Sequence, residues 1–185
     1  MALKRFVCDG FGQLELNQVA FRRDGRVEAQ CALGADFENV PAENGMLLAI
    51  DNVNRIVKKP VAGEKFPIAL NYSTEHMYDE RANALKDFSL AKNSFLPRLG
   101  YLAVGDKFTT NCLCYDDSEF ASDAALEKAY SDKEATLYGV PCEMGAIKVT
   151  KTAPAAGIVL MAVYGTGAGS MPDGQFGIKF QAVAV

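Results

Sequence analysis

A mainly β (α+β) fold, an antiparallel β-barrel or sandwich with two short helices, is predicted by three features of the sequence. Apolar residues mostly alternate with polar ones rather than recurring at helical spacing. Turn residues interrupt them about every 8 to 12 positions. The two segments that do carry helical periodicity are too short to organise a bundle.

Taken in chain order, "NQVAFRRDGRVEAQCAL" predicts a hairpin around Asp24-Gly25. A three-residue loop pairs Val19 with Cys31 and Phe21 with Ala29 on a dry face, and Arg22 with Glu28 on a charged one; a one-residue slip would mix the faces. "GMLLAIDN" reads as a strand apolar enough to be buried on both faces, and "NRIVKK" as the next strand. In "EKFPIALNYS", Phe66, Ile68, Leu70 and Tyr72 share one side. Pro67 has no N–H to donate, so it belongs at an edge or at the strand's beginning.

A first short helix is predicted over about Tyr78 to Phe88, with Tyr78, Ala82 and Leu85 on one stripe. A second runs roughly from Asp123 to Tyr130, with Ser122 as N-cap, Asp123 in the first turn, and Leu126, Ala129 and Tyr130 facing inward. Between them, "GYLAVGDKFTTNCLCYDD" gives a strand, a Gly105-Asp106 turn and a strand whose Phe108, Thr110, Cys112 and Cys114 share a face. The last third predicts strands at "GAIKVTK", "IVLMAVYG" and "QFGIKFQAVAV", the last pinned in a sheet or against a neighbour. A length of 185 residues fits a single β-rich domain, 1–185, subdivided into an N-terminal hairpin and strand region, 1–95, and a barrel-like region, 96–185.

The totals exclude several function classes. With 49% hydrophobic and 23% charged residues the chain should fold rather than remain disordered. Its net charge is -4 and its basic residues form only short groups, such as Arg22, Arg23 and Arg26, which disfavours a nucleic-acid partner. The start "MALKRFVCDGFG" lacks the apolar region of a signal peptide, and the longest apolar run, Ile158 to Val163, is far short of the roughly 20 residues that span a bilayer. A soluble, unsecreted chain without a membrane partner is the expectation. The five cysteines are an odd set without a C-x-x-C pair, which is neither a disulfide framework nor a zinc knuckle, so they are expected to be reduced and mostly in the core.

The densest group of titratable side chains surrounds the lone histidine, His76, with Glu75, Asp79 and Glu80. On a helix Asp79 and Glu80 would share its face, yet a metal site wants a second strong ligand and an ordinary ion pair explains the spacing equally well. Cys112 and Cys114 would point the same way on a strand and could hold a metal with Cys142, but no fourth ligand follows from the spacing, and packing in the core is the expected role. A cysteine or serine triad would need His76, and no G-x-S-x-G elbow is present. The run Gly165-Thr166-Gly167-Ala168-Gly169-Ser170 lacks the Gly-Lys-Ser/Thr ending of a phosphate loop and leads into a strand, so it is a loop tip. No catalytic residue, cofactor or metal is assigned. Exposed tips, edge strands and small helices remain as a contact surface.

The chain resembles a structural protein of a tailed-bacteriophage virion, in the head decoration or auxiliary capsid class. The resemblance is carried by "GYLAVGDKFTTNCL", "GAIKVT" and "IVLMAVYGTGAGSMPDGQFGIKFQAV", which together cover roughly the last 90 residues, and by the lack of a catalytic constellation. It implies a non-enzymatic protein, made in the host cytoplasm and resident in the virion, that stabilises an assembled capsid or another part of the particle. Implied partners are the major capsid protein or other virion proteins, together with self-association. The expected contact surface comprises Gly165, Gly167, Gly169, Ser170 and Asp173 on the loop, and His76, Asp79 and Glu80 at the strand-to-helix corner. The alternative is a small cytoplasmic enzyme or ligand-binding barrel with a pocket near His76 and Cys112/Cys114.

Overall fold

The computed structural model describes residues 2–76, 84–133, 135–164 and 170–185, with the backbone alone at 75 and 76. Its strands are β1 (Leu3–Arg5), β2 (Leu14–Gln18), β3 (Val27–Glu28), β4 (Ala32–Leu33), β5 (Ala42–Glu43), β6 (Leu47–Asp51), β7 (Ile56–Lys58), β8 (Ile68–Asn71), β9 (Ser89–Leu90), β10 (Leu99–Gly100), β11 (Lys107–Thr110) and β12 (Leu113–Asp116). After helix α1 (Asp123–Ser131) come β13 (Tyr138–Pro141), β14 (Ile147–Thr150), β15 (Val159–Ala162) and β16 (Ile178–Ala184).

The fold is mainly β. An eight-stranded curled sheet has the order β1-β12-β14-β13-β15-β16-β11-β2, a six-stranded sheet the order β3-β10-β8-β6-β7-β4, and β5 pairs with β9 alone. The expected barrel does not close: β1 and β2 end the large sheet and do not pair with each other. Nor is the pairing purely antiparallel, because β12 runs parallel to β14 and β4 parallel to β7. Both sheets draw on each side of residue 95: β1 and β2 join the C-terminal strands, while β10 joins β8 and β3.

Two cores result. The first fills the concave side of the large sheet, where Phe108, Leu113, Ile147, Leu160, Ile178 and Phe180 meet one face of the small sheet. The second lies on the small sheet's other face, around Phe37, Leu48, Ile50, Val57, Cys112 and Cys114. This explains why β6 carries an unbroken apolar run: Leu47 faces the first core, Leu48 and Ile50 the second, and every residue of the strand is buried. β16 lies between β15 and β11, with Ile178, Phe180 and Ala182 turned into the first core.

Among the described residues there is one α-helix rather than two. α1 starts where its cap predicts, with Ser122 Oγ accepting from Ala125 N–H, and Leu126, Ala129 and Tyr130 are buried. Most of the segment read as the first helix lies outside the described residues; its described end, Leu85–Asp87, is a single 3-10 turn.

Three local readings are corrected. Asp24-Gly25 does mark a turn, with Gly25 at φ +70° and Arg26 N–H bonded to Phe21 C=O, but the flanking segments separate. β2 joins β11 and β3 joins β10, so Val19 does not face Cys31. Turn chemistry specifies a reversal, not the partners of the strands on either side of it. Second, Phe108, Thr110, Cys112 and Cys114 do not share one face, since the strand breaks at Asn111 between β11 and β12. Phe108 enters the first core, whereas Cys112 and Cys114 enter the second. Third, Phe66 precedes β8 and is exposed, with Lys58 Nζ 4.4 Å from its ring centre. Pro67 stands at that strand's beginning, where its carbonyl accepts from Ile50 N–H.

Candidate functional site

The fold uses its buried carboxylates to brace turns, and those turns hold out apolar side chains. Asp51, at the end of β6, accepts from the N–H groups of Val53 and Asn54, each at 3.0 Å, and from Asn54 Nδ2 at 2.7 Å. The Asn54 donors hold its carboxyl below the usual carboxylate range. The turn so fixed presents Val53, 89% exposed. Asp106 does the same between β10 and β11, accepting from Ala103 N–H at 2.8 Å and Ala20 N–H at 2.7 Å, and the turn presents Val104, 66% exposed. On the opposite side of β10, Ser94 bonds back to Ala91 C=O ahead of exposed Phe95 and Leu96.

The loop expected to make contacts is clasped at its base. Ser170 Oγ donates to Gly177 C=O at 2.7 Å and accepts from Gly177 N–H at 3.1 Å. Asp173 accepts from Gln13 Nε2 at 2.7 Å and from Gln175 N–H and Nε2. Gln175 in turn exchanges hydrogen bonds with the Asp9 backbone, and Asp9 pairs with Lys86. Segments 8–13, 84–87 and 170–177 therefore converge, which joins the loop base to the described end of the strand-to-helix corner. Of the corner residues, the backbone of His76 ends a 3-10 turn, Ser73–His76. Asp79, Glu80, Gly165, Gly167 and Gly169 lie outside the described residues.

This clasp has a pH dependence. Burial pushes the Asp173 carboxyl up, but the Gln13 and Gln175 donors outweigh it and leave the group below its ordinary value of about 3.9. A carboxylate depressed in the folded state contributes fully above the unfolded pKa and loses that contribution as pH falls through the folded one. Hydrogen exchange of amides 170–177, corrected for intrinsic rates, is expected to speed up as pH falls below the ordinary carboxylate range while β16 stays protected. Asp173→Ala should show the faster exchange already at pH 7. Equal protection of the loop in both tests would contradict the assignment.

A second polar constellation carried no sequence signal. Arg5 on β1 donates to Glu43 Oε2 at 2.6 Å and to Leu113 C=O at 2.8 Å, with Cys112 Sγ 3.5 Å away. Glu43 Oε2 also accepts from Gly12 N–H at 2.5 Å. Burial opposes the Arg5 charge, but Cys112 and Glu43, each in its ionised form, outweigh it and raise the guanidinium pKa. Burial pushes the Cys112 thiol up to about 12 and raises Cys8, so both are neutral thiols at pH 7 and poor nucleophiles. The set works as a strut between β1, β5 and β12.

Cys112 and Cys114 are fully buried in the second core, and neither lines the open groove at the head of α1. Cys114 meets Cys142, with the sulfurs 3.2 Å apart. An open groove of about 560 Å³ lies at the head of α1 between Lys4, Val7, Tyr115 and Ser122. Its acidic group is already engaged, since Asp123 accepts from Tyr115 OH and Val7 N–H. Among the described residues no three His, Cys, Asp or Glu side chains converge to hold a metal ion, and no helix is long and apolar enough to cross a membrane. No protein-family model, curated protein or solved structure matches the chain.

Proposed function

We propose that this chain is a non-enzymatic structural protein of a tailed-phage virion, which binds the assembled capsid and stabilises it through several small contacts. The observation that carries the reading is the pairing of braced turns with exposed apolar tips: Asp51 beneath Val53 and Asp106 beneath Val104. An apolar side chain on a mobile loop loses conformational entropy when it docks. One on a turn already fixed by a buried carboxylate loses little, so more of its burial appears as affinity. Weak contacts of this kind suffice on a shell, where identical sites repeat and copies that also touch one another gain avidity. The partners are the major capsid protein or other virion proteins, the chain being made in the host cytoplasm and carried in the particle.

Sedimentation of the purified chain with empty capsid shells of its phage tests the reading. The chain should pellet with shells and remain at about 20 kDa, or as a small oligomer, without them. Val53→Ser with Val104→Ser is expected to lower shell affinity roughly tenfold or more while leaving unfolding within about 0.5 kcal/mol of the parent. A chain that never sediments with shells overturns the proposal. So does a double variant that binds as well as the parent, because the tips would then have no part in contact.

A further inference from the structure

We propose that Cys114 and Cys142 form a redox-controlled staple: they are free thiols in a reducing compartment and close into a disulfide on exposure to a hydroperoxide. The inference stands apart from the capsid reading. The two residues are 28 positions apart, on β12 and just after β13, and the stretch between them contains α1. Folding nevertheless brings the sulfurs to 3.2 Å, closer than unbonded sulfurs ordinarily approach, and a move of about 1 Å reaches bonding distance. Cys112 does not compete, since its sulfur is turned to Arg5. Two thiols without a third converging ligand among the described residues suit a disulfide better than a metal.

The two sulfurs are not equivalent. Cys114 is fully buried, whereas Cys142 is 8% exposed beside a tight turn closed by Gly145 N–H on Cys142 C=O. The two sulfurs are in hydrogen-bond contact, in which either can donate, and the Cys142 thiol also reaches Ala146 C=O at 3.2 Å; the contact with Cys114 lowers the Cys142 pKa and raises that of Cys114. Cys142 is therefore the attacking sulfur and Cys114 the resolving one. Cys142 gives its proton to solvent and the thiolate attacks one oxygen of hydrogen peroxide; an S–O bond forms, the O–O bond breaks, and the leaving hydroxide takes up that proton as water, giving a sulfenic acid. The Cys114 sulfur then attacks the Cys142 sulfur; the S–S bond forms, the S–O bond breaks, and the departing hydroxide takes the Cys114 proton as water. In sum, two thiols and one peroxide give one disulfide and two waters.

The full chain, purified with reductant and then freed of it, is treated with hydrogen peroxide, quenched with catalase, and alkylated with N-ethylmaleimide under denaturing conditions. All five cysteines are expected to alkylate before oxidation, and two fewer after it. Peptide mapping should join Cys114 to Cys142. The oxidised chain should unfold roughly 5–10 °C higher, and dithiothreitol should reverse the shift. Cys112→Ser should keep the cross-link and Cys142→Ser lose it; mapping of the parent chain decides the matter even if either variant folds poorly. Full alkylation after peroxide, a link between other cysteines, a Cys142 sulfinic acid beside a free Cys114, or an unchanged unfolding temperature would each overturn the proposal.

Discussion

Glu43→Ala is expected to destabilise the fold by about 2–3 kcal/mol, at or just below the range for breaking a buried ion pair, because this pair is only partly buried. The substitution removes the partner of Arg5, whose guanidinium stays charged and only 26% exposed, and it also strips the acceptor from Gly12 N–H. Gly12 is packed tightly against this set, where a side-chain carbon would lie 2.8 Å from Cys112 Cβ and from Glu43 Oε2. Arg5→Met combined with Glu43→Leu should recover most of the loss, because an apolar pair of similar volume leaves no buried charge uncompensated. About 1 kcal/mol should remain, for Gly12 N–H left without its acceptor, whereas Leu113 C=O keeps Phe6 N–H as a donor. Guanidinium chloride unfolding of the two single variants and the double variant measures this directly. If Glu43→Ala costs less than about 1 kcal/mol, the strut is ornamental.

What the sequence made legible was whatever local physics decides. The apolar run of β6 reported burial on two faces, the alternation in β16 reported one, and Ser122 with Leu126, Ala129 and Tyr130 placed α1 to within a residue. Ser170 and Asp173 were legible as turn residues, though not the clasp that Asp173 makes with Gln13, 160 positions away. Partner choice was not legible. Alternation sets which face of β2 is dry, but not that β2 pairs with β11 instead of folding back on β3, and a turn signal at Asp24-Gly25 is compatible with either arrangement. The Arg5–Glu43 strut was hidden for a similar reason: the two residues are 38 positions apart and each reads as an ordinary surface charge until the fold brings them together and partly buries both. Cys114 and Cys142 read together only as metal ligands, since no spacing rule predicts that two thiols 28 positions apart will touch. The barrel expectation failed on closure, because strand count and alternation do not reveal whether the last edges meet.

Phe21→Ala is expected to cost about 4 kcal/mol, within the range for truncating a fully buried phenylalanine. Instead of lying across a hairpin from Ala29, Phe21 plugs the first core, where its ring lies 5.0 Å from that of Tyr72 and covers Gly100 of β10. A side-chain carbon added at Gly100 would have three ring atoms of Phe21 as its nearest neighbours, at 2.5, 2.5 and 2.7 Å. A ring wedged beside Tyr72 cannot bend away as a flexible chain end would, so Gly100→Ala alone should cost about 2–3 kcal/mol through overpacking. The combination distinguishes this account from a general intolerance of β10. With the ring removed, the new methyl enters space that is already empty, and Phe21→Ala/Gly100→Ala should be no less stable than Phe21→Ala by itself. The coupling energy is then about 2 kcal/mol or more, read as the difference between the double variant and the sum of the singles in denaturant unfolding. Additive losses would mean that Gly100 is required by its own backbone or by the neighbouring strands, and that the close fit with Phe21 does not explain the glycine.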